Sequence, residues 1–262
     1  MSELLASVDG AITPAGQAVI PVADEGLLRG DGAFEVIRLY GGRPFALDEH
    51  VERLGRSCEG LKLPVDLGVL RAEVDALLEA GAVDGLLRLV VTRGGRRIAI
   101  VEPRPQYGAT ARVATVTFSP SRVLDGLKTL SYAGNMLALR IAKEQGADEA
   151  LFVTPHGRVL EGTTWTFFWV DGGRLHTPPL SERILDSITR RRLLEECDVE
   201  ERICTLDGLR AAQEAFIAST VREVMPIAAV DDRALPEAPG PVTARAAEAL
   251  RARIERELGA AR

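Results

Sequence analysis

Strand-like runs and amphipathic helices follow one another along this chain without a regular strand–helix–strand alternation. β-Branched and apolar runs predict strands at Ala18–Val22, Ala33–Tyr40, Leu86–Thr92 and Arg112–Phe118. The spacing of apolar residues predicts helices over Asp48–Leu61 and Leu67–Ala80. This irregular mixture is typical of the α+β class, and 262 residues are enough for two domains with buried cores.

The most loop-like segments of the chain are Pro103–Gln106 and Pro120–Gly126. We therefore predict an N-terminal α/β domain over residues 1–118, an interdomain loop over 119–125 and a C-terminal domain over 126–262.

Composition excludes several classes of function. The net charge of −6 and a pI of about 5.3 argue against a nucleic acid or an anionic membrane as partner. Cys58, Cys197 and Cys204 lie far apart and form no CxxC pair, which predicts reduced thiols and no metal site. No segment resembles a signal peptide or a membrane-spanning helix. We expect a soluble, cytoplasmic protein.

Lysine is rare in this chain, which has 29 arginines but only three lysines. Only lysine can act as an amine nucleophile, because arginine keeps its proton near neutral pH. Lys62 in a helix-end turn and Lys143 on a helix face occupy positions where solvated charges are normal. Lys128 lies in the apolar run Leu-Lys-Thr-Leu, which predicts a partly buried amine. Lys128 is therefore the candidate for covalent chemistry.

Several ordered blocks around Lys128 carry a family resemblance. They are Arg29-Gly-Asp-Gly-Ala-Phe-Glu-Val36, Glu49-His-Val-Glu-Arg-Leu54, Gly126-Leu-Lys-Thr-Leu-Ser131, Val159-Leu-Glu-Gly-Thr163, Thr177-Pro-Pro-Leu180 and Ile184-Leu-Asp-Ser-Ile-Thr-Arg190. In this order they resemble the class IV (fold type IV) pyridoxal-phosphate-dependent aminotransferases. The resemblance is closest to the branch of D-amino-acid aminotransferases and aminodeoxychorismate lyases. Each block alone is weak, whereas their ordered combination is highly specific.

The resemblance implies a two-domain fold with a small N-terminal α/β domain and a larger C-terminal domain with a mixed, barrel-like sheet. It also implies a homodimer and pyridoxal 5'-phosphate held as a Schiff base on Lys128, so that the C-terminal domain over 126–262 is expected to bind the cofactor. The family pattern transfers further cofactor-binding roles to Arg53, Glu161, Leu185, Ile188, Thr189, Ser219 and Thr220.

Each of these roles has a chemical reason. Arg53 can pair with a phosphate through two N–H donors, and Ile188 and Thr189 begin a helix whose amides can face that phosphate. Ser219 and Thr220 are expected to complete the phosphate cup. Glu161 is expected to keep the pyridine nitrogen protonated, and Leu185 to pack on the ring.

One departure from the family lies just after Glu161. The family usually has a Ser-Asn pair there, and this chain has Trp165-Thr166. The surroundings of Glu161 therefore differ from those in typical relatives.

The activity that the resemblance favours is transamination between a D-amino acid and a 2-oxo acid, either 2-oxoglutarate or pyruvate. Aminodeoxychorismate lyase, which forms 4-aminobenzoate, is the first alternative, although such lyases commonly have threonine where this chain has Glu35. A branched-chain L-amino-acid aminotransferase is the second. Those enzymes are typically longer and carry a Gly-Asn-Tyr segment after the lysine, whereas here Tyr132 comes first.

The substrate carboxylate needs a cation or several donors. The typical D-amino-acid enzyme uses an Arg-x-His pair in a loop, and the corresponding segment here, Gly94–Ile100, is predicted to be a loop without histidine. We therefore expect another arginine to bind the carboxylate and rank Arg88 and Arg29 above Arg96 and Arg97. Phe34 occupies the aromatic position that lines the pocket.

Overall fold

The computed structural model describes residues 4–81 and 83–260, which divide into two compact units. The first unit contains the described residues up to Pro105 together with Leu127–Tyr132. The second contains Gln106–Gly126 and the described chain from Ala133 onward. The predicted α+β class is confirmed, because helices and strands are mixed in both units.

The first unit contains a six-stranded sheet in which every strand pair is antiparallel. Its strands, in chain order, are β1 (Leu5–Val8), β2 (Ala11–Pro14), β3 (Gly32–Tyr40), β4 (Arg43–Pro44), β5 (Gly85–Thr92) and β6 (Arg97–Pro103). In the sheet they lie in the order β2-β1-β6-β5-β3-β4. Its helices are α1 (Glu25–Arg29), α2 (Leu47–Gly60) and α3 (Leu67–Gly81).

The two faces of this sheet have different surroundings because side chains alternate along each strand. Odd-numbered residues such as Ile37 and Leu89 pack in a core with residues of α2 and α3, among them Leu54 and Leu70. Even-numbered residues of the same strands, led by Phe34, form a second cluster. The register that pairs Phe34 with Val90 and Glu35 with Leu89 fixes which side chains occupy which face.

The predicted helices of this unit are confirmed within one residue at each end, but two other expectations are wrong. Ala18–Val22 contains no strand: Val19 and Val22 are 81% and 77% exposed, and Pro21 between them has no N–H for a ladder. Gly94–Ile100 is not all loop, because β6 begins at Arg97 and pairs with β5 from there.

The second unit contains a ten-stranded mixed sheet. Its strands are β7 (Ala111–Thr117), β8 (Glu149–Val153), β9 (Arg158–Gly162), β10 (Thr166–Asp171), β11 (Arg174–Thr177), β12 (Val199–Glu201), β13 (Cys204–Thr205), β14 (Glu214–Ser219), β15 (Glu223–Val230) and β16 (Arg233–Ala234). Its helices are α4 (Ala133–Glu144), α5 (Ile188–Glu196), α6 (Leu206–Ala211) and α7 (Pro241–Ala260).

The main path of this sheet runs β12-β11-β10-β14-β15-β7-β8-β9-β13, and β16 pairs with β15. The pairs β7–β8, β7–β15 and β11–β12 are parallel, and the other pairs are antiparallel. One core cluster is rich in aromatic side chains, with Trp165, Phe167 and Trp169 all buried. Among the described residues, no helix combines the length and the apolar composition that a membrane span requires.

The division into compact units differs from the boundary predicted at 119–125. β7 precedes that segment but belongs to the sheet of the second unit, because it pairs with β8 and β15. Leu127–Tyr132 follows the segment but packs with the first unit. The candidate lysine is therefore a residue of the first unit.

Candidate active site

Lys128 lies in a short extended segment beside the start of β3. Thr129 forms an isolated bridge with Ala33, and the Phe34 N–H donates to the Lys128 carbonyl at 3.1 Å. The Lys128 N–H donates to Ser57 Oγ of α2 at 3.1 Å. These bonds fix the backbone of the lysine to both a strand and a helix of the first unit.

Two glycines of the Arg29–Val36 block allow this close approach. A Cβ on Gly32 would lie 2.6 Å from Leu130 Cδ1 and 2.5 Å from the Val91 carbonyl oxygen, which is shorter than real Cβ contacts. Gly30 has φ +68°, and a Cβ there would lie 3.2 Å from Ser131. The glycine spacing of the block therefore lets the lysine segment lie against β3.

The Lys128 amine lies over two aromatic rings. Its Nζ is 4.4 Å from the centroid of Phe34 and 5.8 Å from that of Tyr132. The two rings meet edge to face, with centroids 5.1 Å apart. Phe34 is buried, whereas Lys128 and Tyr132 are half-buried, so the amine lies beside aromatic side chains in a partly buried position.

On the opposite face of β3, Glu35 forms a buried ion cluster with α2. It accepts from Arg53 Nε at 2.7 Å and from Arg53 Nη2 at 2.8 Å. His50 Nδ1 lies 2.7 Å from the second oxygen. Helical spacing explains the set, because His50, Arg53 and Ser57 are three and four residues apart and share one face of α2. The cluster fixes the guanidinium of the predicted phosphate arginine.

The cluster holds Glu35 ionised and His50 neutral. Burial raises the pKa of the Glu35 carboxyl, but the Arg53 charge and the bonds from Arg53 and His50 outweigh it and hold the pKa at about 2. Burial lowers the pKa of His50, and the charges of Arg53 and Lys128 lower it further against the opposing effect of Glu35.

A pH dependence of stability follows from His50. Below its ordinary pKa of 6.5, the unfolded chain takes up a proton that the folded protein does not, so the free energy of unfolding falls as the pH falls. We expect Tm to fall less steeply between about pH 6.5 and 5 in a His50→Gln variant than in the parent. Thermal unfolding monitored by circular dichroism measures this slope, and His156→Gln, at an exposed histidine, should leave it unchanged. Equal slopes for the parent and His50→Gln would contradict the assignment.

The four arginines predicted for the substrate carboxylate all form ion pairs, but in different places. Arg88 donates to Glu102 through Nε at 2.7 Å and Nη2 at 3.0 Å, and its guanidinium carbon is 5.8 Å from the Phe34 centroid. Arg88 and Phe34 therefore share the sheet face on which the Lys128 amine lies.

The other three arginines are paired elsewhere in the first unit. Arg29 is largely exposed and pairs with Glu25 on α1 at 2.9 Å. Arg96 pairs with Asp9, and Arg97 pairs with Glu73 of α3 at 2.7 Å. Of these four arginines, Arg88 is the one whose guanidinium lies beside the Phe34 ring.

In the second unit, Glu161 is fixed by the backbone that leads into α5. Both of its carboxylate oxygens accept from the Leu185 N–H, at 3.1 and 3.2 Å. Ile188 and Thr189 are the first residues of α5, and the side chain of Ser187 caps the helix by accepting from the Arg190 N–H. A helix start of this kind presents amide donors to an anion.

Ser219 and Thr220 lie at the hairpin between β14 and β15. Ser219 is the last residue of β14 and is buried, and its Oγ accepts from the Arg222 N–H at 3.1 Å. Thr220 is half-buried in the turn. The turn therefore carries two hydroxyl groups on a defined backbone.

The bulky Trp165 is accommodated by a tight turn that begins at Gly162, directly after Glu161. The Gly162 N–H donates to the Trp165 carbonyl at 2.8 Å, and a Cβ on Gly162 would lie 1.9 Å from the indole. The indole Nε1 donates to the buried Glu149 at 3.1 Å, and the neighbouring Thr166 is buried. Glycine at 162 is therefore what makes tryptophan possible at 165.

Each unit, taken by itself, offers groups that suit part of pyridoxal phosphate. The first unit offers an amine beside aromatic rings and a buried guanidinium, and the second offers a carboxylate, a capped helix start and a turn with two hydroxyls. An aldehyde, a phosphate and a ring nitrogen need these groups. These are the features of a pyridoxal-phosphate enzyme.

The chain belongs to the amino-transferase class IV family, whose model matches residues 32–230. The family indicated by the sequence motifs and the predicted cofactor are thereby confirmed. The protein is a pyridoxal-phosphate-dependent class IV enzyme with the type IV transaminase fold.

Three relatives show the range of activities in the family. The chain is 35% identical to a Methanocaldococcus jannaschii protein that carries a provisional assignment as a branched-chain-amino-acid aminotransferase, covering 87% of this chain and 88% of that one. It is 32% identical to a D-alanine aminotransferase of Bacillus licheniformis, with 92% and 94% covered. It is 30% identical to a bifunctional aminodeoxychorismate lyase and D-amino acid transaminase of Mycobacterium tuberculosis, with 90% and 94% covered.

Solved structures agree with the fold. A hypothetical aminotransferase from Mycobacterium tuberculosis in its PLP-bound form superposes with a TM-score of 0.87 at 28% identity, covering 95% of this chain and 98% of that one.

Sequence reasoning missed the partners of the predicted residues. Glu35 was used only to distinguish a lyase from an aminotransferase. A carboxylate inside the apolar run of β3 also indicates a buried cation as its partner. His50 lies three residues before Arg53, so helical spacing places both side chains on one face, where both can meet the same carboxylate. Glu149 and Arg222 gave no local signal, because their meeting depends on strand pairing far apart in sequence.

Proposed function

We propose that the protein transfers the amino group of a D-amino acid to a 2-oxo acid, either pyruvate or 2-oxoglutarate. The observation that carries this proposal is the position of Arg88, which shares the Phe34 side of the sheet with the Lys128 amine. A cation there can bind the carboxylate that every amino acid and 2-oxo acid carries. The preference for the D-enantiomer is supported by the relatives named for D-amino acids.

The proposed roles follow the chemistry of each group. When bound, pyridoxal phosphate supplies the electron sink that makes amino transfer possible. Lys128 binds the cofactor covalently, yields it to the substrate amine and then moves the proton from the substrate Cα as a general base. The residues proposed to bind the cofactor are Arg53, Glu161, Leu185, Ile188, Thr189, Ser219 and Thr220.

A panel of amino donors tests the reaction. D-Alanine and D-glutamate should convert the long-wavelength absorbance of the bound cofactor, with kcat/KM at least about a hundredfold above that of L-alanine and L-leucine, because polar groups aligned for one enantiomer are left unpaired by the other. Transfer should require a 2-oxo acid acceptor. Release of pyruvate from aminodeoxychorismate without an acceptor would favour the lyase, and conversion of L-leucine would favour the branched-chain activity.

The role of Arg88 gives a separate prediction. Replacing it with methionine keeps the packing on Phe34 but removes the cation, so KM for pyruvate should rise by at least about tenfold, the loss of one charge-assisted hydrogen bond. Steady-state kinetics measure this change. Arg97→Met, which removes a cation paired with Glu73 of α3, is the matched control and should leave KM unchanged. An unchanged KM in Arg88→Met would exclude Arg88 from the carboxylate site.

We also propose a cytoplasmic homodimer. The first unit exposes apolar side chains close together in sequence, with Val19 at 81%, Val22 at 77%, Leu27 at 59% and Leu28 at 60%. Exposed apolar surface of this kind is typical of an interface. Light scattering should give twice the chain mass for the parent and a smaller mass for Val22→Glu.

A further inference from the structure

A single buried carboxylate joins two turns of the second unit. Glu149, the first residue of β8, accepts from Trp165 Nε1 at 3.1 Å and from Thr163 Oγ1 at 3.4 Å, both in the turn after Glu161. Its other oxygen pairs with Arg222 Nη2 in the turn after Ser219. The two turns that directly follow proposed cofactor residues are therefore tied to the same side chain.

Arg222 is enclosed on its remaining sides. Its side chain is only 7% exposed, and its guanidinium carbon lies 4.3 Å from the centroid of Tyr107. Nη1 donates to Thr164 Oγ1 at 3.4 Å. A guanidinium held by a carboxylate, a hydroxyl and an aromatic face has little freedom to rotate.

The backbone of Arg222 closes the turn that its side chain immobilises. Its N–H donates to Ser219 Oγ at 3.1 Å, so Ser219 and Arg222 are bonded across Thr220. We propose that Arg222 is a positioning residue for the cofactor phosphate, since it fixes the turn from which Ser219 and Thr220 reach that phosphate. This inference rests on the proposed roles of Ser219 and Thr220.

Positioning differs from direct attraction between the arginine and the phosphate. Under direct attraction, removing the charge of Glu149 would strengthen phosphate binding, because a nearby negative charge is lost. Under positioning, the same change loosens Arg222 and weakens phosphate binding. Glu149→Gln separates the two, since it keeps the shape of the side chain and removes its charge.

The experiment compares two ligands on the apoprotein, pyridoxal phosphate and pyridoxal, which lacks the phosphate. Dissociation constants are measured by absorbance titration for the parent, Arg222→Met, Arg222→Lys and Glu149→Gln. Arg202→Met is the matched control, because Arg202 also pairs with a carboxylate, Asp171, and lies 5.6 Å from an aromatic centroid, that of Trp169.

We expect Arg222→Met to weaken the binding of pyridoxal phosphate at least about tenfold, as for the loss of a charge-assisted hydrogen bond in a buried site. Glu149→Gln should weaken it by about threefold or more, and Arg222→Lys should restore part of the loss. The affinity for pyridoxal should change by less than about twofold in every variant, and Arg202→Met should change neither affinity. If Arg222→Met does not fold, the double variant Glu149→Gln/Arg222→Met replaces it, because removing both charges leaves no unpaired buried ion.

The inference would be overturned if Arg222→Met lost equal affinity for both ligands or lost affinity for neither. Tighter binding of pyridoxal phosphate by Glu149→Gln would overturn it as well. If the parent binds pyridoxal phosphate no better than pyridoxal, the proposed roles of Ser219 and Thr220 fail and the inference fails with them. The amino-donor panel is independent of this result, so a failure of the D-amino-acid proposal remains distinguishable.

Discussion

Lys128→Ala is expected to lower kcat by about 10⁴-fold, the upper range for removal of a general acid–base group. The variant lacks both the amine proposed to bind the cofactor and the base proposed to move the Cα proton. Borohydride reduction of the parent followed by peptide mapping should place a pyridoxyl group on Lys128 and on neither Lys62 nor Lys143. The variant should carry no such group.

The control for this prediction is Lys143→Ala, which removes an exposed lysine of α4. It should keep its activity and its covalent label. Lys128→Ala should still fold, because contacts between a half-exposed amine and aromatic rings contribute only about 1 kcal/mol. A pyridoxyl group on another lysine of the parent would show that the wrong amine has been assigned.

Glu35→Ala is expected to lower the free energy of unfolding by about 3–5 kcal/mol, the effect of removing one partner of a buried ion pair. The variant leaves the Arg53 guanidinium buried without the carboxylate that accepts from its Nε and Nη2. Urea unfolding of the apoprotein, monitored by circular dichroism, measures the change. Cofactor affinity should fall as well, because Arg53 loses its fixed orientation.

The matched control is Glu102→Ala, which also removes a carboxylate bonded to Nε and Nη2 of an arginine. Side chains of that pair are 34% and 27% exposed, so water can solvate the remaining charge and the loss should stay within about 1 kcal/mol. If Glu35→Ala destabilises the protein no more than Glu102→Ala, burial of the cluster is not what makes Glu35 important.

The sequence predicted those parts of the fold that depend on local patterns. α2 and α3 follow from apolar residues spaced along one helical face, and β5 follows from a mostly apolar run that ends in the β-branched residues Val90, Val91 and Thr92. The start of β6 at Arg97 was missed, because a Gly-Gly-Arg-Arg segment has the composition of a loop. Its pairing with β5 and the bond from Arg97 to Glu73 depend on contacts across the unit.

The candidate site shows the same limit. The blocks around Lys128, Arg53 and Glu161 were visible because their ordered combination resembles that of a known family. The bonds of Glu35 to Arg53 and of Glu149 to Arg222 join residues 18 and 73 positions apart. A local pattern can indicate that a buried carboxylate needs a cation, but which cation it meets depends on how elements distant in sequence pack.

The order of synthesis on the ribosome determines when the first unit can be completed. Leu127–Tyr132 completes the first unit but is synthesised only after Gln106–Gly126, the opening part of the second. A fragment that stops at Pro105 would contain all six strands of the first sheet and lack Lys128. Separate expression of two halves cut at Pro105 therefore gives one piece without its lysine and another whose lysine has no β3 to lie against.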